Sequence, residues 1–453
     1  KIQLLWRGLS DNMVLRVLVL VAACALLASA AVTSRKTRDD PTTPQPDCDP
    51  TTCGAYAGNP ECACASTLTP LDDDAEYVPQ LVVLSFDDAV NAENYVFYQE
   101  LIDTYKNPNG FNIAMTYFIT HKYNDYSLMY KLWSQKNEIA AHSVSHVPDI
   151  PGYWRPAGND TWFSEIYDTK KMIEKYGRIP EGEVKGWRAP FLETGGDVMF
   201  QALQDAGFEY DCSISTFRYS NWYQNAGETA PRGALYPYTM DYKSDLECSV
   251  GRCPEKTYPG FWVMPMTDLN DPRPPTVRAP CNMLGSCLGG NETSPDYWTC
   301  KDDECKDNLV RWLKDSFHNH YDTNRAPFGL YAHYSWFLLD TISEEGSRNR
   351  DAYKEFLDYI TTSVDDVWIV SLSTVLEYMK DPQYKEDMED WMEPYNPPII
   401  PPTSDCPDPT SCFFEDSPFD GNGVYMTICT RPCPQYYPWI NNIDGNIPND
   451  MVI

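Results

Sequence analysis

The feature that most constrains the fold of this chain is a short, mostly apolar run from Leu81 to Phe86. Such a run, rich in β-branched residues, is typical of a buried strand in a parallel sheet covered on both faces. Asp87 and Asp88 follow it directly. Neighbouring side chains of an extended segment point in opposite directions, so one carboxylate can bind a cation while the other accepts a proton. An isolated pair of this kind is more often a solvated or capping pair.

Strand and helix patterns alternate along the chain, which predicts an α/β fold built as a β/α barrel. The predicted strands beyond the first cover residues 112–119, 137–141, 328–333 and 367–371. The predicted helices cover residues 161–176, 198–206 and 373–380. The stretch 219–321 interrupts the alternation with Pro, Gly, Cys and aromatic residues, and is predicted to be loop-rich insertions that wall a substrate groove.

Two of only six histidines, His142 and His146, follow the predicted strand 137–141. Four-residue spacing brings two imidazoles to one side of a helical turn, and their nitrogens suit zinc. Alone, this spacing is more often fortuitous. Combined with a carboxylate at another strand end, it gives two histidines and one aspartate, which leaves a fourth tetrahedral position for water.

Further motifs follow in order along the chain. They are Arg188-Ala189-Pro190-Phe191-Leu192 with Gly195-Gly196, Tyr210-Asp211-Cys212-Ser213-Ile214, and Ala326-Pro327-Phe328-Gly329-Leu330-Tyr331-Ala332-His333. With these motifs the chain resembles the carbohydrate esterase family four polysaccharide deacetylases, and among them the arthropod chitin deacetylases. The resemblance extends from about Cys48 to about Trp439. It implies a distorted (β/α) barrel of the polysaccharide deacetylase type with long disulfide-bonded loop insertions.

The resemblance implies a Zn²⁺ site whose ligands are Asp88, His142 and His146, with another divalent metal such as Co²⁺ as the alternative. Asp87 is then the general base that takes a proton from water. Arg188 is implied to hold Asp87 ionised through a charge-assisted hydrogen bond. The plainer interpretation of Arg188 is a surface or a salt-bridging arginine.

His333 corresponds to the family's late histidine, the general acid. A departing amine needs this proton, because expulsion of an amide anion is prohibitive. The alternative is a hydrogen-bonded core histidine. Asp211 either orients His333 or lines the sugar cleft. The predicted substrate-binding residues are Pro190, Phe191, Asp211 and Trp336.

The chain ends carry targeting and linker signals. Residues 13–30 combine a basic start, an apolar core and a small-residue cleavage site, which predicts a signal peptide and a secreted, extracellular protein. Residues 1–12 are interpreted as upstream residues. The apolar core is too short for a comfortable membrane span, so no membrane anchor is expected. Residues 31–78 form a Pro/Cys-rich segment, 79–381 the catalytic domain, and 382–453 a Pro-rich strap and disulfide-bonded tail.

Fifteen cysteines remain once Cys24 is removed with the predicted signal peptide. Fourteen of them lie in three even-numbered clusters, and export to an oxidising compartment favours disulfides over further zinc sites. Cys212 is left over and is predicted to be a free thiol, at a position where the resembled family usually has serine. An inert buried thiol is favoured over an oxidation-sensitive group or an unintended metal ligand.

A formal net charge of -31 argues against nucleic acid and anionic membranes as partners. The resemblance implies chitin or chitin oligosaccharides as substrate, with chitin-matrix proteins as further candidate partners, in a peritrophic matrix or cuticle. A monomer is expected. Asn159 and Asn291 lie in glycosylation sequons.

Three functions follow from these observations. The first is zinc-dependent hydrolysis of the N-acetyl groups of chitin, which yields chitosan and acetate. The second is a non-catalytic chitin-binding matrix organiser, and the complete acid, base and ligand set argues against it. The third is deacetylation of another N-acetylated glycan.

Overall fold

The computed structural model describes residues 48–71, 74–216, 233–243, 248, 250–270, 281–287, 303–338, 348–395, 406–421 and 423–448. Several sequence predictions lie outside this part of the chain. They are the upstream residues 1–12, the signal peptide 13–30, residues 31–47, the sequon residue Asn291 and most of the Pro-rich strap.

The described residues form fifteen strands and nine α-helices. The strands are Gln80–Asp87 (β1), Thr116–Ile119 (β2), Glu138–Ala141 (β3), Gly186–Trp187 (β4), Thr194–Gly195 (β5), Tyr210–Asp211 (β6), Ser215–Thr216 (β7), Tyr238–Met240 (β8), Gly251–Arg252 (β9), Tyr258–Val263 (β10), Met266–Thr267 (β11), Phe328–His333 (β12), Val367–Ile369 (β13), Thr410–Phe414 (β14) and Val424–Ile428 (β15). The helices are Ala92–Thr104 (α1), Tyr126–Ser134 (α2), Asn159–Gly177 (α3), Asp197–Asp205 (α4), Leu284–Cys287 (α5), Asp303–Tyr321 (α6), Arg348–Thr362 (α7), Leu372–Lys380 (α8) and Met388–Trp391 (α9).

Nine of these strands form one curled sheet, in the order β12-β1-β2-β3-β4-β6-β10-β8, with β13 also paired to β1. The neighbouring strands are parallel except for the antiparallel pair β8 and β10. Helices follow β1, β2 and β3, as expected for repeated β/α units. The structure therefore confirms the α/β class and the distorted barrel.

Every residue of β1 is buried, because both of its faces are covered. Val82, Leu84 and Phe86 pack in the core between sheet and helices, whereas Leu81 and Val83 pack in the core inside the curved sheet. The alternation continues to the strand end, so Asp87 lies on the inner face of the sheet.

The predicted strand 112–119 is shorter in the structure, where β2 begins at Thr116. Strand β13 pairs with the amino-terminal half of β1, and β2 pairs only with its carboxyl-terminal half. The residues before β2 bond elsewhere, since Ala114 N donates to Ile369 O and Met115 N donates to Asn137 Oδ1. The late strand β13 thus takes the place that a longer β2 would occupy.

The described part of the loop-rich stretch 219–321 also contains regular elements that were not predicted from the sequence. Its described part contains β8 and β10 of the main sheet and the nineteen-residue helix α6. The buried Leu309, Leu313 and Phe317 recur at helical spacing in α6. The apolar run Phe261-Trp262-Val263 forms the end of β10. The many Pro, Gly and Cys residues around these segments made the helical spacing of α6 and the apolar run of β10 hard to recognise in the sequence.

Each disulfide between described residues joins two cysteines of the same cluster. The six disulfides between described residues are Cys48–Cys64, Cys53–Cys62, Cys248–Cys253, Cys281–Cys287, Cys406–Cys429 and Cys412–Cys433. Among the same residues, no helix combines the length and the apolarity needed to cross a membrane.

Two buried histidines, His121 and His320, make stability dependent on pH. His121 Nε2 donates to Pro438 O, so the neutral ring accepts from Tyr126 Oη through Nδ1. Burial lowers the pKa of each histidine to about 4, and we expect unfolding to restore an ordinary value near 6.5. The unfolded chain then binds more protons, so the free energy of unfolding should fall as the pH drops from about 6.5 to about 4. Chemical denaturation of the wild type and of His320→Asn, at several pH values across this range, measures the change in the free energy of unfolding. An equal pH dependence in both proteins would contradict a contribution from His320.

Candidate metal and acid-base site

The predicted site residues meet at the carboxyl ends of the parallel strands. Asp87 and His333 are direct register partners at the ends of β1 and β12. His142 and Arg188 stand one residue beyond β3 and β4, and each backbone N–H continues the strand pairing, to Ile119 O and Ala141 O respectively. The active sites of β/α-barrel enzymes lie at this edge, the carboxyl ends of the strands.

Three side chains present a compact set of metal donors. The candidate ligand atoms of Asp88, His142 and His146 all lie within 4.8 Å of one another. His142 Nδ1 donates to Arg188 O at 2.8 Å, so its Nε2 lone pair is available to a metal. Burial lowers the pKa of both histidines, that of His146 to about 4, which favours the neutral, ligating form. Two imidazole nitrogens and one carboxylate fit a divalent ion such as Zn²⁺.

The His142–His146 segment is an irregular loop, which corrects the helical turn expected from the spacing. Ser143 and His146 have φ angles of 78° and 41°, and Asp88 in the neighbouring loop has 80°. Positive φ is uncommon for residues other than glycine, and each such residue costs on the order of 1–3 kcal/mol. Other contacts must therefore hold these loops in place.

Glu165 on α3 holds the His142–His146 segment, the histidine loop, in place. This role was not predicted from the sequence. Its buried carboxylate accepts from Val144 N and Ser145 N at 2.9 Å each, from Ser145 Oγ, and from Tyr153 Oη at 2.6 Å. The signal available in the sequence was a glutamate among the buried positions of an amphipathic helix, beside Trp162 and Ile166. Charged residues are almost never fully buried unless they are paired.

We expect Glu165→Gln to weaken metal binding by about tenfold or more, because groups that orient ligands typically contribute this much to affinity. The amide can accept only part of the four hydrogen bonds, and it introduces an N–H group facing the donors of the loop. Titration with Zn²⁺ against a competing chelator measures the change. Asp160→Asn, at an exposed carboxylate on the same helix, is the control. Equal zinc affinity in both variants would contradict the role of Glu165.

Arg188 is fully buried and binds the predicted base. Its Nη1 donates to Asp87 Oδ1 at 2.5 Å and to Ser85 Oγ at 3.0 Å, and its Nε donates to Cys212 O at 2.9 Å. Rings flank the guanidinium, with centroids 3.9 Å away for Phe118 and 5.0 Å away for Tyr331. Burial raises the pKa of Asp87, but Arg188, His142 and His333 together bring the pKa below its ordinary value. Asp87 is therefore ionised at neutral pH.

Asp211 lies behind this site and is fully buried. Its carboxylate accepts from Ser213 N at 3.1 Å and from Ser213 Oγ at 2.6 Å. Ser213 Oγ in turn accepts from Ala189 N at 2.8 Å, beside Arg188. Asp211 thus supports the loop that begins at Arg188, and it does not line a cleft. The burial of Cys212, a free thiol, raises its pKa to about 11, in keeping with an inert group.

The other predicted substrate-binding residues differ in exposure. Trp336 is only 2% exposed and packs edge-on against Phe337, so the structure places it in the core. Pro190 is also buried, whereas Phe191 is 38% exposed with its ring centroid 4.6 Å from that of His146. The sequon residue Asn159 is exposed at the start of α3.

Comparisons with known proteins place the chain in a family. No family model matches it. Chitin deacetylase 1 of Bombyx mori is 31% identical over 412 residues, which cover 88% of this chain and 69% of that protein. Chitin deacetylase 8 of Bombyx mori is 31% identical over 385 residues, which cover 84% of this chain and 90% of that protein.

Similar solved structures include a mutant of the peptidoglycan deacetylase PdaC from Bacillus subtilis, with 14% identity and a TM-score of 0.34 over 71% of this chain and 99% of that one. Another is the Xyl-CE4 domain of a xylanase from a Trinervitermes trinervoides hindgut metagenome, with 14% identity and a TM-score of 0.33 over 66% of this chain and 90% of that one. Family membership rests on the two sequence relatives. Their identity and coverage show that this chain belongs to the chitin deacetylases.

Proposed function

We propose that this protein hydrolyses the N-acetyl groups of N-acetylglucosamine units in chitin, releasing acetate and leaving glucosamine. The observation that carries the proposal is the buried Asp87–Arg188 pair, which lies beside three metal donors and opposite His333. A protein that only bound chitin would need neither a base held ionised nor an acid across from it.

Asp88, His142 and His146 would hold the metal ion, and Zn²⁺ suits this mixture of nitrogen and oxygen donors. Such an ion supplies Lewis-acid polarisation of a carbonyl oxygen and lowers the pKa of bound water. The protein orients the donor atoms in two ways. The hydrogen bond from His142 to Arg188 O fixes the tautomer of His142, and the hydrogen bonds of Glu165 hold the histidine loop in place.

Asp87 would accept a proton from the water that attacks the carbonyl carbon of the acetamido group. Its oxygen is held by Arg188, which keeps the carboxylate ionised and turned toward the site. A base of this kind contributes typically about 10²–10⁴-fold to the rate.

His333 would return a proton to the sugar nitrogen as the carbon–nitrogen bond breaks. It is the register partner of Asp87, and it is partly exposed, so it can reach a substrate. The neutral amine then leaves, and the acetic acid loses its proton to become acetate. Proton exchange with solvent would return Asp87 to its ionised form and His333 to its protonated form.

The disulfides favour an oxidising compartment, which is where extracellular chitin lies. We therefore propose that the protein is exported and acts on a chitin matrix such as a gut lining or cuticle. Acetate release by the zinc-loaded protein, from chitin oligomers and from N-acetylated peptidoglycan fragments, tests the substrate. Release from chitin oligomers supports the proposal. Release from peptidoglycan fragments alone would favour the other-glycan function, and binding without release would favour the matrix organiser.

A further inference from the structure

The loop after β2 is clamped between the two segments that carry the candidate metal ligands. On one side, His121 N donates to Ser143 O at 3.2 Å. On the other side, Val90 N donates to Asn124 Oδ1 at 3.0 Å, and Asp125 N donates to Val90 O at 2.8 Å. Side chains at the tip of this loop therefore lie at the rim of the candidate site.

Tyr123 stands at that tip and is 54% exposed, with a φ angle of 61°. Positive φ in a bulky residue is an outlier that often marks a functional position. The ring of Phe419, from the tail, packs edge-on against it with centroids 5.1 Å apart, and Phe419 stacks on Trp439 at 5.3 Å. Tyr123 Oη donates to Asp420 Oδ2 at 3.3 Å. The tail thus adds an aromatic surface to the rim.

Lys122 precedes Tyr123 in the same loop and also contacts the tail. Its Nζ lies 5.2 Å from the ring centroid of Phe419. Its neighbour His121 donates through its backbone N–H to Ser143 O, between the two histidines of the candidate site. The ammonium group of Lys122 therefore lies beside the aromatic rings on a loop that is bonded to the candidate site.

This combination matches the chemistry of a sugar ring in a β-linked glycan. The faces of such a ring carry C–H groups that stack on aromatic side chains, and its edge carries hydroxyl and acetamido groups that need donors and acceptors. The exposed ring of Tyr123 offers an apolar face, and the partly buried Phe419 supports that ring from the tail. Lys122 offers a donor to the edge of the sugar.

We propose that Tyr123, Phe419 and Lys122 form a subsite that binds a sugar unit of the glycan next to the unit that reacts. This inference rests on the proposed function and makes it more specific, since it assigns the disulfide-bonded tail a part in substrate binding. A chain of several sugars would occupy the subsite, whereas a disaccharide would gain less from it.

Two variants remove the rings with different risks to folding. Tyr123→Gly deletes an exposed ring at a position whose positive φ suits glycine. Phe419→Ala deletes the partner ring in the tail. Phe413→Ala is the matched control, because Phe413 is an exposed tail aromatic that packs on Tyr425 and not on Tyr123. Acetate release from chitin disaccharide and tetrasaccharide, and equilibrium binding of the tetrasaccharide, are measured for each protein.

We expect KM and Kd for the tetrasaccharide to rise by about tenfold in Tyr123→Gly and Phe419→Ala, with a smaller rise for the disaccharide. Phe413→Ala should match wild type. Equal tetrasaccharide binding in all four proteins would overturn the subsite. If the wild type released no acetate, the proposed deacetylation would fail, and the binding data would still decide the subsite.

Discussion

Replacing Asp87 with asparagine is expected to lower kcat for acetate release by about a thousandfold. Asparagine has nearly the same shape and can still accept a hydrogen bond from Arg188, but it cannot accept the proton of the attacking water. The metal donors Asp88, His142 and His146 are unchanged, so zinc content should stay at the wild-type level. Acetate release and bound zinc are measured on the same samples.

Asp168→Asn is the control for this variant. Asp168 is also a buried carboxylate, but it accepts from Asn441 N at 2.7 Å and is not among the hydrogen-bond partners of Arg188. We expect its kcat to remain close to wild type. An Asp87→Asn protein that kept its zinc and more than about a tenth of wild-type kcat would remove Asp87 from the role of base.

Arg188→Met should have the largest combined effect on stability and activity. Breaking a buried ion pair by removing one partner typically costs about 3–5 kcal/mol, because the other charge stays buried without compensation. Here Asp87 would lose its cation, and Ser85 Oγ and Cys212 O would lose a donor. Denaturant unfolding should show this loss in the free energy of unfolding.

The same substitution should change the pH profile. Arg188 lowers the pKa of Asp87 in the folded protein, so its removal raises that pKa. A base works only when deprotonated, so the acid limb of the kcat–pH profile should move to higher pH. Arg431→Met is the control, because Arg431 and its partner Asp408 are both largely exposed, and such a pair contributes about 0–1 kcal/mol. Unfolding and pH profiles that match those of the control would contradict the role of Arg188.

The position of Asp87, His142 and His333 at the carboxyl ends of strands could be predicted from sequence, because each lies at or just after the end of a short apolar run. Strands β1, β3 and β12 appear close to their predicted bounds, and parallel pairing brings their ends together. The conformation of the histidine loop could not be predicted, since a spacing of four residues does not distinguish a helical turn from a strained loop.

Contacts between distant parts of the chain were also beyond the sequence. Glu165 on a helix binds the segment between His142 and His146, and Phe419 in the tail packs on Tyr123, and no local pattern indicates either contact. Asp211 and Trp336 were predicted from the sequence as substrate contacts, but burial places Asp211 behind the loop that begins at Arg188 and Trp336 in the core. Burial of a single side chain depends on packing that residue type alone does not fix.

The proposed zinc-dependent deacetylation is tested most directly by a zinc titration of the metal-free protein, with bound zinc and acetate release from chitin tetrasaccharide measured at every step. We expect acetate release to rise in proportion to the zinc bound by the wild type. We expect His146→Ala to bind zinc more weakly, and Asp87→Asn to bind zinc normally while it releases acetate about a thousandfold more slowly. Acetate release by the metal-free protein, or by zinc-loaded Asp87→Asn at more than about a tenth of the wild-type rate, would contradict zinc-dependent hydrolysis with Asp87 as base.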